Sequence, residues 1–144
     1  MENQLTEHFN LNEFTYSTTA AAAKINNNVG TFEYNNLKKL CEDILEPIRQ
    51  KWDIPIRITS GYRCPELNRR LKGSATSQHT KGEAADFESQ DDCNGKLFHI
   101  IEAMIHNGEI TVGQLIWEKG DEHNPDWIHI SLPMAHKKNQ ILKL

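Results

Sequence analysis

An imidazole and a carboxylate lie seven residues apart in Ser77-Gln78-His79-Thr80-Lys81-Gly82-Glu83-Ala84-Ala85-Asp86, with a glycine between them. Glycine takes positive φ without steric cost, so a turn at Gly82 would let His79 and Asp86 converge on one point. A second stretch, Asp126-Trp127-Ile128-His129, adds another imidazole, with a carboxylate three residues ahead of it. Two neutral imidazoles and one carboxylate form a ligand set suited to Zn²⁺. Three protein ligands leave a fourth tetrahedral position for water, which is the catalytic arrangement and not the closed structural one. Such a metal lowers the pKa of its water toward about 7 and polarises a carbonyl. Asp126 is then left to manage the proton, as base to the water and donor to the leaving amine.

Plainer readings stand beside these. Asp86 could be an ordinary carboxylate at a strand end. Between Ala84-Ala85 and Phe87, however, it would be buried, and a buried charge is costly unless paired or metal-bound. Asp126 follows Pro125, where aspartate is a common turn residue, and Glu118, Asp121 and Glu122 are nearby substitutes for its role. Arg63 could make a structural salt bridge. Of the seven histidines, His8, His99, His106, His123 and His136 read as surface or packing residues, and Lys137-Lys138 as a solvated charge pair.

Positioning the two motifs requires strands and helices in order. Leu37, Leu40, Cys41, Ile44, Leu45, Ile48 and Trp52 fall on one helical face, and Pro47 within that run predicts a bend. Ile54 to Thr59 alternates at period two, as a strand does. Pro65 to Leu71 reads as a short helix and Glu83 to Glu88 as a central strand. Leu97 to Ile105 reads as a second amphipathic helix, opened by Asp92 or Asn94 and closed by Asn107-Gly108. Gln114–Glu118 and Trp127–Leu132 are further strands, with an edge strand expected near Ile141–Leu144. Residues 1–33 read as an irregular polar arm, with apolar anchors, that packs on the body. The order predicts one α+β domain over residues 1–144, a mostly antiparallel sheet with helices packed on one face.

The two motifs together resemble the M15 zinc peptidases, the D-alanyl-D-alanine carboxypeptidase group. Ser77-x-His79-x-x-Gly82-x-Ala84-x-Asp86 matches the family's SxHxxGxAxD motif. Asp126-x-x-His129 resembles its second motif, a Glu or Asp three residues before the third zinc ligand. Ser60-Gly61-Tyr62-Arg63 and the stretch Glu7 to Phe14 extend the likeness to a short subgroup. The resemblance implies a Hedgehog/DD-peptidase-like zinc peptidase fold. It also implies His79, Asp86 and His129 as ligands of Zn²⁺, Asp126 as base, and Arg63 as the group facing a carbonyl or oxyanion. Ser77 and Gln78, beside the first ligand, join Arg63 as expected substrate-binding residues. The implied substrates are peptidoglycan stem peptides or their precursors, with terminal D-Ala removal first and L-Ala–D-Glu cleavage second. A non-catalytic zinc domain that binds partners is the competing class.

Composition sets the outer limits. The chain has 144 residues, 38% hydrophobic and 25% charged, which suits one globular domain. A fold of this size buries about 70% of its unfolded surface, enough for a core without disulfides. The net charge of −4 gives no broad basic field for a nucleic acid backbone. Three cysteines without CxxC spacing fit reduced thiols. No run is long enough to span a bilayer, and Met1-Glu2-Asn3-Gln4 lacks the basic start of a signal peptide. The expectation is a monomer, cytoplasmic as synthesised. It would reach the wall through a phage lysis system or act on precursors inside.

Overall fold

The computed structural model describes residues 1–144. The apolar stripe of Leu37, Leu40, Cys41, Ile44, Leu45 and Ile48 is fully buried along a single helical run. That run comprises α3 (Thr31–Leu40), a π-helical turn at Cys41–Leu45, and α4 (Glu46–Trp52); α1 (Leu11–Thr15) and α2 (Thr18–Ala23) precede it. Pro47 lacks an N–H, and its ring crowds the carbonyl four residues back. The wider turn just ahead of it, in which Glu46 N–H reaches Cys41 O, accommodates the ring and lets the helix continue.

Five strands form one sheet: β1 (Ile56–Ser60), β2 (Ala84–Ser89), β3 (Gln114–Glu118), β4 (Trp127–Ser131) and β5 (Gln140–Lys143). Their spatial order is β1-β2-β4-β3-β5. The first four pair antiparallel, and β5 joins β3 in parallel. Successive side chains on a strand point to opposite faces. Ala85 and Phe87 of β2, Ile128 and Ile130 of β4, and Leu115 and Trp117 of β3 therefore fill the core. Asp86, His129 and Ile116 occupy the alternate positions, with His129 in register with both Asp86 and Ile116 on the other face.

α6 (Asn94–His106) closes the core side with Leu97, Phe98, Ile101 and Met104, packing on β2, β4 and α4. The fold is α+β, with the long helices on one face of a mostly antiparallel sheet. Asn94 is the first residue of α6 rather than its cap. Its Oδ1 accepts the Ser89 N–H and its Nδ2 donates to Pro125 O, so it ties the end of β2 to the approach to β4.

The first 33 residues are more regular than their composition suggests. α1 carries a capping box made by Asn10 and Glu13, and Ser17 caps α2. Leu5, Phe9, Phe14 and Val29 enter the core. Glu46 fastens the start of this segment: its carboxylate accepts the His8 backbone N–H at 2.8 Å and His8 Nδ1–H at 2.6 Å. Burial raises the pKa of Glu46, but hydrogen bonds from His8 and Gln50 outweigh it and lower the value to about 2. A carboxylate depressed in the folded state adds stability above its unfolded pKa and loses it as pH falls through the folded one. The melting temperature should therefore drop between about pH 4.5 and pH 2, and Glu46→Gln should flatten that drop. Thermal melts across this pH range check it; an unchanged slope in the variant would contradict it.

Candidate metal centre

Asp86 on β2 and His129 on β4 are cross-strand neighbours on the face away from the core. The third group reaches them from a turn. Ser77 Oγ accepts the His79 N–H and opens a 3₁₀ turn at Gln78–Lys81, which Gly82 ends at φ 72°. A Cβ at Gly82 would overlap the Glu33 carbonyl oxygen, so both conformation and space require glycine there.

The ligand atoms of His79, Asp86 and His129 lie within 4.8 Å of one another. His79 Nδ1–H donates to Gly61 O at 2.8 Å, which leaves Nε2 facing Asp86 Oδ2 at 3.5 Å. A hydrogen bond at one ring nitrogen fixes the tautomer and aims the other nitrogen's lone pair, as metal-ligating histidines require. His129 Nδ1 lies 2.8 Å from Asp86 Oδ1. Asp86 is 8% exposed and His79 5%. Burial alone would push the Asp86 pKa up, but hydrogen bonds and charge from His129 and His79 hold it well below the ordinary carboxylate range. The centre is thus a buried anion between two imidazoles, a donor set that fits a divalent ion of the zinc type.

Arg63 stands beside it, with Nη2 3.8 Å from Asp86 Oδ2 and Nε–H donating to Ser60 Oγ at 3.1 Å. Burial lowers the pKa of the guanidinium and the Asp86 charge opposes that shift. Ser60 owes its place to a register shift between Ile58 and Ser60, which sets Ser60 opposite Asp86. Bulges of this kind re-aim side chains near active sites.

Asp126 is exposed and precedes β4. Strict alternation would send a residue three before His129 to the opposite face. Asp126 N–H donates to Glu118 O at 2.9 Å, although the register partner of Glu118 is Trp127. This hydrogen bond holds the Asp126 backbone just beyond the Glu118–Trp127 pair. Among the other carboxylates, Asp121 is engaged in its own loop, where Oδ1 accepts the N–H groups of His123 and Asn124. Glu122 is highly exposed, 3.4 Å from His123 Nε2. Glu118 sits in register with Trp127, two positions from Ile116 along β3.

Ser77 and Gln78 line a cleft with Arg63, Gln114, His129 and Lys137. Gln78 Nε2 is buried there without a hydrogen-bond partner. A second cleft runs along the outer edge of β1, between Tyr16–Thr19 and the stretch Arg57 to Arg63. Arg63 borders both clefts. Gln114 and Lys137 carry no sequence motif, and only the sheet topology brings them here. Lys137, which reads in the sequence as half of a solvated pair, borders the cleft. Glu7, His8 and Glu46 form a second group with ligand atoms within 4.8 Å. Its Glu46 oxygens already accept N–H groups from His8 and Gln50.

Gly61 offers a direct check on the His79 anchor. A Cβ at Gly61 would fall 2.5 Å from Phe14 O and 2.6 Å from Phe14 Cα. Gly61→Ala must shift the carbonyl that holds His79 Nδ1. Zinc affinity should fall about 10–100-fold, the usual cost of disturbing a group that orients a ligand. Chelator competition measures it, and wild-type affinity would contradict the anchoring role.

The sequence model of the peptidase M15 family matches residues 7–131. Among curated protein sequences none matches the chain. A solved structure, the L-Ala D-Glu endopeptidase ChiX of Serratia marcescens, is similar at 19% identity and a TM-score of 0.39. The similarity covers 72% of this chain and 88% of that one. With the family match spanning both motifs and the strands that carry them, the chain belongs to the peptidase M15 family.

Proposed function

We propose that the chain is a zinc-dependent peptidase acting on the stem peptides of peptidoglycan. The observation that carries this reading is the convergence of one ligand atom each from His79, Asp86 and His129 within 4.8 Å. Zinc held there supplies an acidified water and a Lewis acid for the scissile carbonyl. Asp126 takes the proton of the attacking water and returns it to the leaving amine. The Arg63 guanidinium holds the negative charge that develops on the carbonyl oxygen. Ser77 and Gln78, which line the cleft beside His129, hold the substrate backbone.

The finer reading is removal of a terminal D-Ala. Lys137 in the cleft beside His129 supports it, as a cation for the terminal carboxylate. A second reading, cleavage of the internal L-Ala–D-Glu bond, is favoured by clefts on both flanks of Arg63, since an internal bond needs room on either side. The carboxylate at Asp126 favours either enzyme over a non-catalytic zinc domain.

Digestion of whole peptidoglycan, and of a pentapeptide ending in D-Ala-D-Ala, with and without a chelator, tests all three. Free D-Ala that disappears with the chelator supports the first reading, and internal fragments support the second. An inert zinc-loaded protein on every wall peptide would overturn the enzymatic reading.

A further inference from the structure

The connection from β1 to α5 (Pro65–Arg70) carries Arg63 and has no strand beside it, so its backbone groups need partners elsewhere. Arg63 N–H donates to His79 O at 3.1 Å, and Tyr62 N–H donates to Phe14 O at 2.7 Å. Two further contacts come from one side chain. Asn27, between α2 and α3, is 7% exposed. Its Nδ2 donates to Tyr62 O at 3.0 Å and to Thr15 O at 2.9 Å, and its Oδ1 accepts the Cys64 N–H at 2.8 Å. One amide hydrogen and the oxygen thus hold the backbone immediately before and after Arg63, and the other hydrogen ties the side chain to Thr15 O.

The guanidinium itself is held loosely by comparison. Its contacts are one hydrogen bond to Ser60 Oγ and an approach of 3.8 Å to Asp86. The direction in which it leaves the backbone is set by the peptide units on either side, which Asn27 clamps. We propose that Asn27 is a positioning residue for the reaction: it fixes the Tyr62–Cys64 backbone so that the Arg63 guanidinium faces the reacting carbonyl. This rests on the role given to Arg63 above. It assigns to the N-terminal segment a part in the chemistry, beyond its part in the core.

Two measurements test it. The first does not depend on activity: hydrogen exchange of the Arg63 Nε–H with water, followed by NMR, its signal assigned by its absence in Arg63→Lys. In Asn27→Ala this exchange should accelerate about tenfold or more as the clamp opens, with zinc still bound one per chain. The second is a double-mutant cycle on the zinc-loaded enzyme with the wall peptide it cleaves. Asn27→Ala should lower kcat by about 10–100-fold, the cost of misplacing a catalytic group by about 1 Å, with KM nearly unchanged. In an Arg63→Ala background the same change should add less than about twofold, because the two residues act as one unit.

Asn27→Asp, which keeps the acceptor for Cys64 N–H and loses the donors, should behave as Asn27→Ala does and serves if the alanine variant does not fold. Unchanged exchange at Arg63, or losses that add in full, would overturn the proposal. A protein inert on every wall peptide would refute the peptidase reading alone, and the exchange measurement would still decide the role of Asn27.

Discussion

Asp126→Asn is expected to keep its zinc and to lower turnover by about 10²–10⁴-fold, the usual worth of a general base. The amide has the same shape as the carboxylate but does not accept the proton of the attacking water. Asp126 is exposed, so the exchange costs the fold little. Its backbone stays anchored through Asp126 N–H to Glu118 O. Metal analysis and kcat on the same preparation check both halves. Turnover at the wild-type level would transfer the role to Glu118, because Asp121 is committed to its loop.

Removal of an imidazole should act on the metal itself. His79→Ala or His129→Ala is expected to reduce bound zinc from one per chain to almost none at micromolar protein, and activity with it. Two protein ligands remain in each variant, short of the three that an open zinc site uses. His79→Ala should also destabilise the fold by about 1–3 kcal/mol, because the buried Gly61 carbonyl loses its donor. His129→Ala should also destabilise the fold, because the buried Asp86 carboxylate loses its 2.8 Å partner. Full zinc occupancy in either variant would contradict the ligand assignment.

The grouping of His79, Asp86 and His129 was legible because a local pattern places each residue, although Asp86 and His129 stand 43 apart in the chain. Gly82 bends the chain at the position that the His79–Asp86 spacing requires, and alternation on β2 and β4 sends Asp86 and His129 to the face opposite Phe87 and Ile128. The long helix was legible too, as an apolar stripe, although the form of its bend at Pro47 depends on how wide a turn the surrounding packing allows.

What stayed hidden depends on contacts distant in the chain. α1 and α2 are five and six residues long, too short for a period to appear, and are held by caps and by Phe9 and Phe14 in the core. The bulge at Thr59 follows from pairing with β2 and not from residue type. Asn27 lies among polar neighbours that give it no distinction, and only its burial against Tyr62 and Cys64 sets it apart. Lys137 comes to the cleft through a turn ahead of β5, whose parallel pairing with β3 no local pattern announces.

X-ray absorption of the zinc-loaded protein bears most directly on the account. Scattering from two imidazoles and light oxygen neighbours, with no sulfur, is the predicted signature of His79, His129 and Asp86 around one ion. A sulfur contribution from Cys41, Cys64 or Cys93, or a shell without imidazole, would place the metal elsewhere and remove the basis for the chemistry assigned to this face of the sheet.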